Sequence, residues 1–326
     1  MLPIDETLNC VTIRNHLHGI AERMEADLGP EQFMFVDGCQ NEWEAYPEPD
    51  GPITVGLDGG YVRGRERKPG GQGHFEVIAG KSITAEGDAK CFALVNSYDQ
   101  KPKRRLYEVL KSQGMQPRQQ ITFLSDGGDT VRKLQEYLNP NSEHLLDWFH
   151  ITMRITVMVQ LARGLPKKSN EEILRFIEVL LELDRIKWYL WHGNVIYALR
   201  TADSLSDLLM IDEFGEDHPP HKNAEKLAKA LDELSYYVEG NAASIPNYGE
   251  LYRYGERIST GFVESTVNQV VSKRFVKKQQ MQWTKRGTHL LLQVRTHVLN
   301  NELDSTFQKW FPKFRRRVPE EQRLAA

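Results

Sequence analysis

A chain of 326 residues, 40% hydrophobic and 27% charged, has room for one large domain with an insertion or for two domains, and nowhere carries the roughly 20 consecutive apolar residues of a bilayer-spanning helix. Three scattered cysteines, Cys10, Cys39 and Cys91, argue against a disulfide framework or a cysteine-based zinc site, so a reducing, cytoplasmic setting is expected. The net charge of −3 does not mark a nucleic-acid binder, but residues 1–60 hold 12 Asp/Glu against 2 Lys/Arg and residues 261–326 hold 13 Lys/Arg against 5 Asp/Glu, a polarity that suits a polyanion partner or two solvated surfaces of opposite sign.

In chain order, residues 1–50 are an acidic segment in which Leu8, Val11, Ile13, Leu17 and Ile20 are loosely helix-spaced, with Gly29-Pro30 as a stop. Residues 46–52 read as a linker. Residues 53–62 read as a strand, followed by a Gly/Arg-rich turn over 64–73, and residues 75–83 and 90–97 read as two more strands. A helix over 103–113, closed by Gly114, leads to a fourth strand at 120–125. A second helix over 130–138, with Asp129 as its N-cap, leads to a short fifth strand at 144–148. Three consecutive strands followed by alternating helix and strand predict an α/β fold with a mixed sheet flanked by helices.

Beyond His150 the strand signal fades. Helical spacing recurs at 172–190, 204–209 and 224–238, which predicts an all-helical insertion over 151–249. Helices over 264–278 and 288–300 close the fold. The expected organisation is a core formed by 51–150 and 250–300, the insertion between them, and a basic tail at 301–326.

Three acids stand out. Asp58 follows the apolar run Ile53-Thr54-Val55-Gly56-Leu57, Asp126 follows Ile121-Thr122-Phe123-Leu124-Ser125, and Glu264 opens a predicted helix. Neighbouring strands can present two aspartates side by side, and a helix across the sheet can add a glutamate. Carboxylates converging from separate elements suit hard divalent cations, and two such ions about 4 Å apart can clamp an in-line displacement at phosphorus. The plainer alternatives are turns at Asp58-Gly59-Gly60 and Asp126-Gly127-Gly128, and a glutamate that favours its helix dipole.

Two further signals accompany the acids. Asp147 and His150, at the end of the fifth strand, either support a catalytic shell or form a buried structural pair. The basic set is Arg63 and Arg65 beyond Asp58, then Lys273, Arg274, Lys277, Lys278 and Arg286 with Trp283 among them. Cations with an interleaved aromatic bind phosphates and stack on unpaired bases, or else form a solvated helix face.

The stretches Gly56-Leu57-Asp58-Gly59-Gly60-Tyr61-Val62-Arg63, Leu124-Ser125-Asp126-Gly127-Gly128 and Gly261-Phe262-Val263-Glu264-Ser265 resemble the acidic triad of bacterial insertion-sequence DDE transposases of the ISKra type. Asp147-Trp148-Phe149-His150 resembles the Asp/Cys-x-x-His motif of the related Mutator-like transposases, and Met281-Gln282-Trp283-Thr284 with Gly287 resembles the stretch after the family glutamate. The resemblance covers roughly residues 50–300. It implies a ribonuclease-H-like core, Asp58, Asp126 and Glu264 as ligands of two Mg²⁺ (or Mn²⁺) ions, cleavage and joining of DNA at transposon ends, and a homodimer on paired ends. Members of that family carry a DNA-binding region ahead of the core. The acidic segment 1–50 shows no basic helix-turn-helix and no zinc signature, so a truncated DNA-binding region, a remnant or part of a split system is expected. Two other functions stay open: a catalytically silent DNA-binding protein derived from a transposase, and a plain ribonuclease-H-like nuclease.

Overall fold

The computed structural model describes residues 9–32, 45, 51–65, 73–128, 142–210, 221–273, 275 and 281–314. The chain forms two compact units. The first comprises residues 1–123, 130–143 and 262–326, and the second residues 124–129 and 144–261. The expected helix at 130–138, Asp129, Arg274, Lys277 and Lys278 lie outside the described residues. Among those described, no helix is long and apolar enough to cross a membrane.

Five strands make one mixed sheet: β1 (Ile53–Arg63), β2 (His74–Ile83), β3 (Ala89–Val95), β4 (Ile121–Ser125) and β5 (Ser142–Leu146), in the order β3-β2-β1-β4-β5. β1, β2 and β3 pair antiparallel, with Asp58 opposite Ala79 and Gly59 and Gly60 opposite Ile78 and Val77. Gly59 and Gly60 therefore continue the strand, and the alternative of a turn at Asp58 does not hold. Asp58 stands midway along β1 rather than at its end.

Side chains alternate across the sheet. On one face of the first unit, Ile53, Val55 and Leu57 pack with Ile78, Phe92, Leu94, Ile121 and Phe123 under Leu106 and Leu110 of α2 (Pro102–Ser112). On the other face, Val62, Phe75, Val77, Ala79, Ala93 and Val95 meet Val270, Val271, Phe275, Leu291 and Leu292. That cover comes from α8 (Gly261–Val267), the single π-helical turn Asn268–Ser272 that prolongs it, and α9 (Lys285–Leu299), with α1 (Cys10–Asp27) packed beside α9.

The second unit has a helical core built from α3 (Trp148–Ala162), α4 (Asn170–Trp191), α5 (Val195–Met210), α6 (Lys222–Gly240) and α7 (Tyr248–Arg253). Ser169 starts α4 with a reciprocal capping box closed by Glu172. Tyr248 is fully buried against Trp148 and Trp191, and its hydroxyl donates to the Leu146 carbonyl at 2.7 Å.

Three expectations need correction. The fifth strand ends at Leu146, because Asp147 accepts the Phe149 N–H and caps α3, which makes Trp148 helical. The helix expected over 264–278 stays α-helical only to Val267 and passes through the π-turn to Lys273 as its C-cap. Residues 303–310 of the expected tail form a further helix, α10 (Leu303–Trp310), and the residues just ahead of it are tied to β3: Lys90 pairs with Glu302 at 2.7 Å, and Asn300 bonds the Cys91 backbone.

Candidate functional site

Asp58 and Glu264 line one cavity of about 320 Å³ in the first unit, together with Gly59, Gly60, Tyr61, Val267, Asn268, Val271, Ser272 and Phe275. The backbone explains why they share it. Even-numbered residues of β1 point to the face covered by α8, and this row reads Gly56, Asp58, Gly60, Val62. A Cβ at Gly56 would come within 2.2 Å of Val263 Cγ2 and 2.7 Å of Phe262 Cζ, so only glycine lets α8 lie this close to β1. Val267 and Val271 also lie over Gly60, but there a Cβ would meet them only in ordinary contact, at 3.8 and 3.6 Å. The helix is thus pressed on the strand on both sides of Asp58, and Glu264, exposed in the first turn, faces the same space.

Asp126 belongs to the second unit, at the end of β4, and is exposed. Its loop is held from several directions. The Tyr237 hydroxyl donates to the Asp126 carbonyl at 3.0 Å, and burial raises that phenol above its ordinary range, keeping it a donor. The Gly128 N–H donates to Asp126 Oδ1 at 3.1 Å, and the Gly127 N–H to Ser125 Oγ at 3.2 Å. Ser125 Oγ in turn meets His144 Nε2 at 2.8 Å, and His144 Nδ1 meets Ser244 Oγ at 2.9 Å. Gly127 has φ of +82°, and a Cβ there would sit 2.3 Å from Asn241 Oδ1, so conformation and space both require glycine. Here the expectation of a turn at Asp126-Gly127-Gly128 agrees with the structure.

Asp147 and His150 do meet, within the second unit. Asp147 is fully buried and accepts from Phe149 N (2.9 Å), Thr260 N (3.1 Å), Thr260 Oγ1 and His150 Nδ1 (2.8 Å). His150 is about one-third exposed. A carboxylate can only accept, so His150 Nδ1 carries the proton of this bond.

Four members of the basic set, Arg63, Arg65, Lys273 and Arg286, are among the described residues. Arg63 and Arg65 frame a short parallel bridge with the segment before α9: Trp283 N–H donates to Arg63 O at 3.0 Å, and Arg65 N–H to Trp283 O at 2.9 Å. Trp283 is half-buried and packs edge-on against Phe275 at 4.8 Å, and Arg286 is paired with Glu22 of α1. Lys273 is exposed.

A cluster that sequence reasoning missed ties α1, α2 and α9 together in the first unit. Arg105 is buried and bonds Asp99 at 2.9 Å, Glu25 at 3.0 Å and Gln293 at 2.6 Å, while His289 Nε2 meets Glu25 at 3.2 Å. Burial opposes ionisation of Glu25, but the bonds from His289 and Arg105 outweigh it and hold the carboxyl down at about 2. Glu25, Asp99 and His289 form the one group of three potential metal ligands within 4.8 Å among the described residues. The Arg105 guanidinium already balances both acids, so this is a structural knot. Glu25, the Asp99–Arg105 stretch and His289 lie far apart in the sequence, and so do Asp126 and the Tyr237–Ser244 stretch that holds its loop. Comparison of the sequence with protein-family models and with curated proteins finds no match.

Proposed function

We propose that this chain is a metal-dependent enzyme acting on DNA phosphodiesters, of the DDE transposase kind its motifs resemble, with a ribonuclease-H-like core and a helical insertion ahead of Glu264. The observation that supports this reading is the shared cavity of Asp58 and Glu264, two carboxylates from separate elements, with Asn268 and Ser272 as further side-chain oxygens. Such a donor set suits Mg²⁺ or Mn²⁺, and the cavity has room for coordinated water. In this reading Asp58 and Glu264 hold the ions, and Asp126 is the third ligand that the resemblance supplies. When bound, the ions supply charge stabilisation at the attacking and leaving oxygens of the phosphodiester.

The remaining roles belong to the chain. Val267, Val271 and Phe275 give the cavity an apolar wall that limits water. Arg63, the last residue of β1, and Arg65, just past it, offer positive charge to a DNA backbone. Asp147 holds His150 in one orientation, and both act as supporting residues. Pairing of two copies on two DNA ends is part of the reading.

The test is cleavage of plasmid DNA by the full chain with Mg²⁺ or Mn²⁺. Asp58→Asn, Asp126→Asn and Glu264→Gln are each expected to lose activity by a hundredfold or more, on the order seen for removal of a charge-stabilising group, with thermal unfolding near that of the wild type. Undiminished cutting by all three variants overturns the proposal. Cutting without any joined product marks a plain nuclease, and tight DNA binding without cutting marks the catalytically silent protein.

A further inference from the structure

A second cavity, of about 500 Å³, opens elsewhere in the first unit, between α1 and the segment that enters α9. Ile13, Leu17 and Trp283 contribute apolar surface, and Arg14, His18 and Arg65 contribute cations or donors. Among the described residues, no aspartate or glutamate lines it, and neither Arg14 nor Arg65 pairs with a carboxylate. Burial, then the nearby Arg286 and Arg14 charges, hold the His18 imidazole below its ordinary range, as expected in a space that is already positive. A pocket of this size that is apolar inside and cationic in charge fits a flat, largely apolar body carrying a phosphate.

Its placement narrows the ligand further. Phe275 lines the Asp58–Glu264 cavity, Trp283 lines this one, and the two rings pack edge to face at 4.8 Å. The β1 residues of the first cavity are Asp58 to Tyr61, and Arg65, just past the end of β1 at Arg63, belongs to the second. At about 3.3 Å per residue the offset is roughly 13–23 Å. At about 3.4 Å per step of a DNA strand, that is about four to seven nucleotides.

We propose that this cavity takes one unpaired nucleotide of the DNA strand engaged at Asp58 and Glu264, with the base among Ile13, Leu17 and Trp283 and its phosphate at Arg14 and Arg65. The proposal rests on the DNA-cleaving function above and names where that enzyme reads a distorted or single-stranded segment. A paired base cannot enter without unstacking, so unpaired DNA is preferred over intact duplex.

The experiment uses the full chain and a short single-stranded oligodeoxynucleotide carrying one 2-aminopurine, compared with a blunt duplex carrying the same base. The expected result is saturable quenching of the single strand, with binding about tenfold or more tighter than to the duplex. Ile13→Glu, at an exposed position, and the double variant Arg14→Gln/Arg65→Gln are each expected to abolish quenching and weaken single-strand binding about tenfold or more, the double variant also with a shallower salt dependence. Quenching that persists unchanged in both variants overturns the proposal, and so does its absence from the wild type. Metal-dependent plasmid cleavage by the same wild-type preparation separates the two ideas: cleavage without quenching removes only the nucleotide cavity, whereas loss of both removes the enzyme reading as well.

Discussion

The Asp147 carboxylate accepts four hydrogen bonds. Fully buried, it caps α3, orients His150 and holds both the N–H and the hydroxyl of Thr260. Asp147→Ala leaves several buried donors without an acceptor and is expected to cost about 3–5 kcal/mol in urea unfolding, whereas His150→Gln, on a partly exposed ring, costs less than about 1 kcal/mol. A small effect at Asp147 would show that the network is not stabilising. Glu25 makes a pH-dependent contribution. Its folded value of about 2 lies below the ordinary 4.5, so its stabilisation is fully present above about pH 4.5 and disappears as the pH falls through about 2. Its size is about 3 kcal/mol at neutral pH. Glu25→Gln should therefore flatten the acid limb of the stability curve between those values. The Asp147–His150 pairing was legible from its spacing. Thr260 was not, because its partner lies 113 positions earlier in the chain.

At the scale of elements, the strands were legible and the helix ends less so. β1 to β4 follow apolar runs and alternation that a sequence displays directly. The end of β5 depended on whether Asp147 would cap a helix, a choice made by the Phe149 N–H and by Thr260. The break of α8 at Val267 has no local signal in Asn268-Gln269-Val270-Val271-Ser272. The π-turn coincides with the burial of Val270 and Val271 against the sheet, while Asn268 and Ser272 line the cavity. Gly56 is the residue on which this packing turns. Gly56→Val is expected to push α8 off β1, at a cost of about 1–3 kcal/mol for overpacking, and to weaken divalent-metal binding although neither acid has changed. Metal binding as tight as in the wild type would show that the approach of α8 does not set the site. Gly127→Ala should likewise disturb the Asp126 loop, since both the positive φ and the contact with Asn241 resist a side chain.

At the scale of the molecule, part of the charge polarity is satisfied within the first unit. Glu22, Glu25 and Asp27 of the acidic segment reach Arg286, His289, Lys309 and Trp310 of the basic one, and Arg23 lies over the Trp310 ring at 4.6 Å. Opposite charge at the two chain ends thus serves in part to dock α1, which tempers its value as a sign of a nucleic-acid partner. The α/β class, the five strands and the helical character of the described residues between 151 and 240 could be read from the sequence. The division into two units cutting through β4 and β5, the buried Arg105 knot and the second cavity depend on contacts between distant residues that no local pattern announces. For the candidate site, sequence reading picked out Asp58 and Glu264. It did not reveal the glycine at 56 that brings their elements together, or the Asn268 and Ser272 oxygens beside them. Calorimetric titration of the full chain with Mn²⁺ tests the central claim most directly. Saturable binding in the wild type, lost in both Asp58→Asn and Glu264→Gln, is the predicted result, and an isotherm that neither substitution changes would contradict it.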